Sequence, residues 1–191
     1  MSDDWRRREG RGPRLRAALS GLALVSACSS GSHVSHKGDW EFKVDTVRSD
    51  SGGGIRTTTW LRTAGQEGPQ GSPPTKAVVL SFDCLPGHTS SAILTDQSLR
   101  QGTADLRLTL DAGKPRRLPG FAGTTSTGGQ LVITMPQDSM LALLSGHRRA
   151  TIEYADGAGS SKTTAVFSVA GLEQFRARFQ AACAERRSDS R

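Results

Sequence analysis

The stretch Lys76-Ala77-Val78-Val79-Leu80-Ser81-Phe82-Asp83-Cys84-Leu85 decides the fold class. Val78, Leu80, Phe82 and Cys84 alternate with other residues, the two-residue period of a strand with one buried face. Working outward, similar runs lie near 39–47, 55–63, 91–95, 104–111, 130–135, 149–155 and 162–169, separated by turn formers. Residues Gly65 to Pro74 are nearly all turn formers and read as a flexible loop. Asp156-Gly157-Ala158-Gly159, with Ser160 and Ser161, reads as the turn of a hairpin joining Ile152 and Tyr154 to Val166, Phe167 and Val169.

Two segments break the strand pattern. Ser139 to Ser145 reads as a short helix stopped by Gly146. From about Gly171 to Arg187, Leu172, Phe175, Phe179 and Cys183 recur at intervals of three and four, one apolar stripe of a helix. The architecture expected is all-β: an antiparallel β-sandwich with the C-terminal α-helix packed on one sheet. The expected domain covers 39–187, with a frayed tail at 188–191. An apolar fraction of 35% and 22 glycines suit short strands and polar turns.

The net charge of +7 is unevenly spread. Arg6, Arg7, Arg8, Arg11, Arg14 and Arg16 stand against Asp3, Asp4 and Glu9, which leaves only +4 for the rest. That balance falls short of a nucleic-acid footprint. The six arginines precede the apolar run Ala17 to Ala27, too short to cross about 30 Å of hydrocarbon but suited to an export signal. It ends in Val25-Ser26-Ala27-Cys28, which resembles the lipobox of bacterial lipoproteins. The resemblance implies a signal peptide over 1–27 and an acylated N-terminal Cys28, with 28–38 as a polar tether. Ser29 resembles the residue after the cysteine in lipoproteins sorted to an outer membrane. The alternative is an ordinary secretory signal with Cys28 a free thiol.

With Cys28 given to lipid, Cys84 and Cys183 remain of the three cysteines, and an oxidising compartment makes their disulfide the default. Both sit on the apolar side of their elements, so a helix packed on the sheet would bring them together. The alternative is two buried free thiols.

A second resemblance rests on strand-ending Cys84, the stretch Leu106 to Pro115, the Leu/Met-rich turn at 140–144, and Phe167 to Phe175 leading to Cys183. These features are similar to the exported all-β domain of type VI secretion-associated envelope proteins of the TagO/VasI kind. The tryptophan expected after the last cysteine is replaced by Ala184. The resemblance implies an envelope role without catalysis and transfers no site residues.

Candidate chemistry is sparse. His33 and His36 have a spacing that could place two imidazoles on one metal from a helix, yet they lie in the expected tether and read as linker. His88 and His147 read as turn and loop residues. No G-x-S-x-G elbow is present, and Asp105, Asp111, Glu153 and Asp156 form no patterned carboxylate pair. Ser51 to Ile55 is glycine-rich but lacks the lysine of a phosphate loop. Trp40 and Trp60 read as core residues or as contact rings. Lys114, Arg116, Arg117, Arg148 and Arg149 form either a basic edge or scattered solvated charge.

The expected function is therefore a lipid-anchored, non-catalytic binding or accessory module of the cell envelope, linked in its narrower form to a secretion assembly. It would hold the membrane through its lipid, on the periplasmic face of the outer membrane in a two-membrane cell. A protein or cell-wall partner is expected; nucleic acid, cofactor and metal are not. The competing expectation is an exported hydrolase acting on envelope or extracellular polymers.

Overall fold

The computed structural model describes residues 32–48, 55–85, 88–155 and 162–188. Among them ten strands and two helices follow in the order β1 (Ser32–Lys37), β2 (Trp40–Arg48), β3 (Ile55–Pro69), β4 (Lys76–Leu85), β5 (His88–Thr95), β6 (Gly102–Leu110), β7 (Arg116–Thr125), β8 (Gly128–Ile133), α1 (Gln137–Leu144), β9 (Arg149–Ala155), β10 (Lys162–Ser168) and α2 (Glu173–Ser188). The strands pair antiparallel in the order β3-β10-β9-β6-β7-β8-β5-β4, and β4 returns to β3. Eight strands thus close a barrel, and β1 with β2 extends from β3 as an additional pair.

The expected β-sandwich is overturned by this closure, for two reasons. The first is β3, which continues through the presumed loop as far as Pro69. On one edge it pairs with β4 from Thr59 to Glu67. On the other it pairs first with β2, from Ile55 to Thr63, and then with β10, from Gly65 to Pro69. The second is β7, which the sequence hides behind Pro119, Gly120 and Gly123. With β7 in place, β6 and β8 each gain a neighbour and the sheet has no open edge within the barrel.

Glycine serves close packing here rather than turning. A Cβ on Gly65 would stand 2.4 Å from the Val166 carbonyl oxygen and 2.5 Å from the Phe167 ring. One on Gly120 would stand 2.6 Å from a Leu106 methyl. Both glycines make room for large side chains in a narrow lumen.

Alternation fills that lumen. Val78, Leu80, Phe82 and Cys84 of β4 are buried, as are Leu61, Ile93, Leu106, Leu108, Leu131, Ile152 and Phe167 from neighbouring strands. Glu67 lies among them with no exposed surface. Its carboxyl group accepts hydrogen bonds from the Tyr154 and Thr95 hydroxyls and from Gln97 Nε2 at 2.6 Å. Burial and this contact push the Tyr154 phenol well above its usual range.

The helices cover one end. Met140, Leu141 and Leu144 of α1, Leu172 just before α2, and Phe175, Phe179 and Cys183 of α2 are all buried. Gln137 at the start of α1 donates to the Asp83 and Ser90 carbonyls at 3.2 and 2.8 Å, fixing the helix to the β4–β5 end. Phe175 stacks on Phe42 with centroids 6.2 Å apart. Cys84 and Cys183 form the expected disulfide, closing 99 residues of chain with a Cα–Cα distance of 5.7 Å.

The segment expected as a tether over 28–38 contains β1, which pairs with β2 from Ser32↔Asp45 to Lys37↔Trp40. Of the tail expected at 188–191, Ser188 ends α2, while residues 189–191, the turn expected at 156–161, the signal peptide and Cys28 lie outside the described residues. No helix among the described residues is long and apolar enough to cross a membrane.

Candidate functional site

The chain from Leu110 to Arg116 turns β6 into β7 with Asp111 in the left-handed region at φ 50°. Aspartate tolerates that conformation better than most residues. The Gly113 amide closes the turn on the Leu110 carbonyl at 2.8 Å, and the Asp111 amide donates to the Arg149 carbonyl at 2.9 Å. The Asp111 carboxylate then gathers the loop between α1 and β9. It accepts from His147 Nδ1 at 2.8 Å and from the Arg148 and Arg149 backbone amides, each at 3.0 Å. These bonds, with His147 first, hold the Asp111 carboxyl below the usual carboxylate range.

A cleft of about 470 Å³ opens between this hairpin and the end of α1. Its floor is Leu108, Leu110 and Leu143; its rim carries Lys114, Arg116 and His147. Leu108 is fully buried and faces the barrel interior, and Arg116 lies opposite it in the β6–β7 register. The cleft is therefore a mouth of the barrel at its helical end, a common position for ligand sites in barrels. Lys114 and Arg116 are exposed, and among the described residues neither has a carboxylate within salt-bridge distance.

A smaller cleft of about 190 Å³ adjoins it, sharing Arg116 and lined also by Asp105, Arg107, Pro115 and Arg117. Arg117 Nε donates to Asp105 at 2.7 Å. The basic residues singled out in sequence are thus partly gathered: Arg116 and Arg117 share this second cleft. Arg148 and Arg149 reach the same hairpin through their backbone, with side chains exposed.

The other candidates are dispersed. His33 and His36 lie on strand β1, where the helical spacing argument does not apply. His88 is exposed at the start of β5. Trp40 is fully buried beside Phe82. Trp60 lies half-buried on the outside of the barrel, with Lys43 Nζ 4.8 Å and the Arg62 guanidinium 4.1 Å from its ring centre. Those cations in turn pair with Asp45 at 2.7 Å and Asp83 at 3.3 Å. Residues 51–54 of the glycine-rich stretch, and Asp156, lie outside the described residues.

The Asp111–His147 pair was not legible in the sequence, because its members are 36 residues apart, with Asp111 ending an expected strand and His147 in an expected loop. The available signal was an aspartate leading the tight turn Asp111-Ala112-Gly113. A carboxylate on one imidazole nitrogen is half of a hydrolytic arrangement. Among the described residues no hydroxyl is hydrogen-bonded to the other nitrogen. No group of three or more His, Cys, Asp or Glu among them is placed to hold a metal ion.

No family model and no curated protein matches the sequence. The fold is similar to the crystal structure of invasion associated protein B from Bartonella henselae, with a TM-score of 0.51 and 13% identity, covering 78% of this chain and 97% of that one. At that identity the likeness is one of fold.

Proposed function

We propose that the protein is an exported, lipid-anchored envelope module that binds a partner without catalysing a reaction, with an accessory role at a secretion assembly as the narrower form of the reading. The observation that carries the binding reading is the mouth between the β6–β7 hairpin and α1, where Lys114 and Arg116 stand over a leucine floor with no salt-bridge partner among the described residues. Cations placed this way attract an anionic surface or ligand before contact. Export is supported by the Cys84–Cys183 bond, since structural disulfides persist in oxidising compartments. Anchoring rests on Cys28, which that bond leaves as the remaining cysteine.

The test is photocrosslinking in intact envelopes from a probe at exposed Arg149, with cell-wall sedimentation in parallel. A discrete crosslinked partner, or co-sedimentation with the wall, is expected, and either is weakened by Lys114→Glu with Arg116→Glu. The absence of both overturns the binding reading. Turnover in a screen of esters, amides and glycans that disappears with His147→Ala overturns the non-catalytic part.

A further inference from the structure

The barrel mouth combines two chemistries in one small volume. Leu110 and Leu143, both half-buried, form an apolar floor over the fully buried Leu108, while Lys114, Arg116 and His147 stand at its rim. His147 is already engaged by Asp111, which leaves the lysine and the arginine to meet an incoming negative charge. A fully hydrated anion would use the cations and waste the leucines, and a neutral apolar molecule would do the reverse. An occupant that satisfies both has an apolar body and a single anionic head. At about 470 Å³ the cleft has the size of a small-molecule site, usually 300–1,000 Å³.

We propose that this mouth binds a single-chain lipid anion, a fatty-acid carboxylate whose chain lies on Leu110 and Leu143 and whose head lies between Lys114 and Arg116. The assignment deepens the binding-module reading and rests on it, but it does not depend on the lipid at Cys28. Arg116 presents a fork of N–H donors suited to a carboxylate, and Lys114 adds a point charge beside it. The Asp111 bonds to His147, Arg148 and Arg149 fix the wall opposite the hairpin, so the cleft is formed before the ligand arrives.

The experiment is calorimetric titration of the full chain carrying Cys28→Ser, which cannot be acylated, with laurate below its micelle concentration. One laurate per chain is expected, bound about tenfold more tightly than decanoate because two further methylenes are buried. Methyl laurate, lacking the charge, should bind at least tenfold more weakly. Lys114→Glu with Arg116→Glu should lose at least tenfold in laurate affinity with an unchanged melting temperature, since both residues are exposed. Leu143→Trp, which fills the cleft, should also abolish binding.

No laurate binding, binding insensitive to these variants, or equal binding of the methyl ester overturns the proposal. So does association restricted to phosphatidylglycerol vesicles, which would make the basic rim a membrane-surface contact. In those cases envelope crosslinking at Arg149 still reads out the binding module separately, so the two failures are distinguishable.

Discussion

The Tyr154 hydroxyl donates to the Glu67 carboxyl group inside the barrel, joining β9 to β3 across the intervening β10. Glu67 is fully buried and Tyr154 is only 2% exposed, so neither has water as a substitute partner. Thr95 and Gln97 donate to the same carboxyl from the β5 side. The group works as a polar tie inside a lumen lined largely by apolar side chains. Tyr154→Phe leaves one acceptor position unfilled and should cost about 1–3 kcal/mol in urea unfolding. Glu67→Leu, which strands three donors, should cost more.

The same tie sets an alkaline limit. Burial and the Glu67 contact raise the Tyr154 phenol in the folded state above its ordinary value of 10.0. The unfolded chain therefore releases this proton first. The contribution is complete below pH 10 and falls away as pH rises past it toward the folded value. Unfolding free energy measured from pH 8 to 11 should decline beyond 10, and Tyr154→Phe should flatten that decline.

Closure of the barrel depends on Gly65. Its Cβ position is filled by the Val166 carbonyl and the Phe167 ring, so Gly65→Ala must displace backbone as well as side chain. A loss of about 2–3 kcal/mol is expected from overpacking. Gly71, with nothing within 4 Å of its Cβ position but a φ of +86°, should lose less on the same change, about 1 kcal/mol. Equal losses at the two sites would count against the packing described here.

The disulfide ties α2 to β4 over a separation of 99 residues. On the chain-entropy account, Cys84→Ala with Cys183→Ala should lower unfolding free energy by about 4–5 kcal/mol. Reductant should reproduce that loss in the parent chain and leave the double variant unchanged.

The Asp111 carboxyl titrates below 3.8 because His147 and two backbone amides donate to it. Its contribution is present above the unfolded value and lost as pH falls through the lowered folded value. Carbon-detected NMR titration should place Asp111 low, and His147→Ala should move it back toward 3.8. An unmoved titration would break the link between hairpin and loop.

Local pattern was legible where it was strong. The alternation of Val78, Leu80, Phe82 and Cys84 marks β4, and the stripe Leu172, Phe175, Phe179, Cys183 marks α2; together they place the disulfide. Closure was not legible, because Gly65, Pro69, Pro119 and Gly120 look like breakers in one dimension. Only the neighbouring Phe167 and Leu106 show why small residues are needed there. The Glu67 site was hidden in the stretch 65–74, which reads as a loop of turn formers. Arg116 and Arg117 stood out as charge, but the leucine floor beside Arg116 belongs to β6 and α1 and appears only once the barrel forms.

The most direct measurement for the central reading is the intact mass of the native protein extracted from membranes, with and without reductant. An exported, lipid-anchored, disulfide-closed module predicts a species beginning at Cys28 with added acyl mass that gains a pair of hydrogens on reduction. A species beginning at Met1 without acyl mass would contradict both export and anchoring.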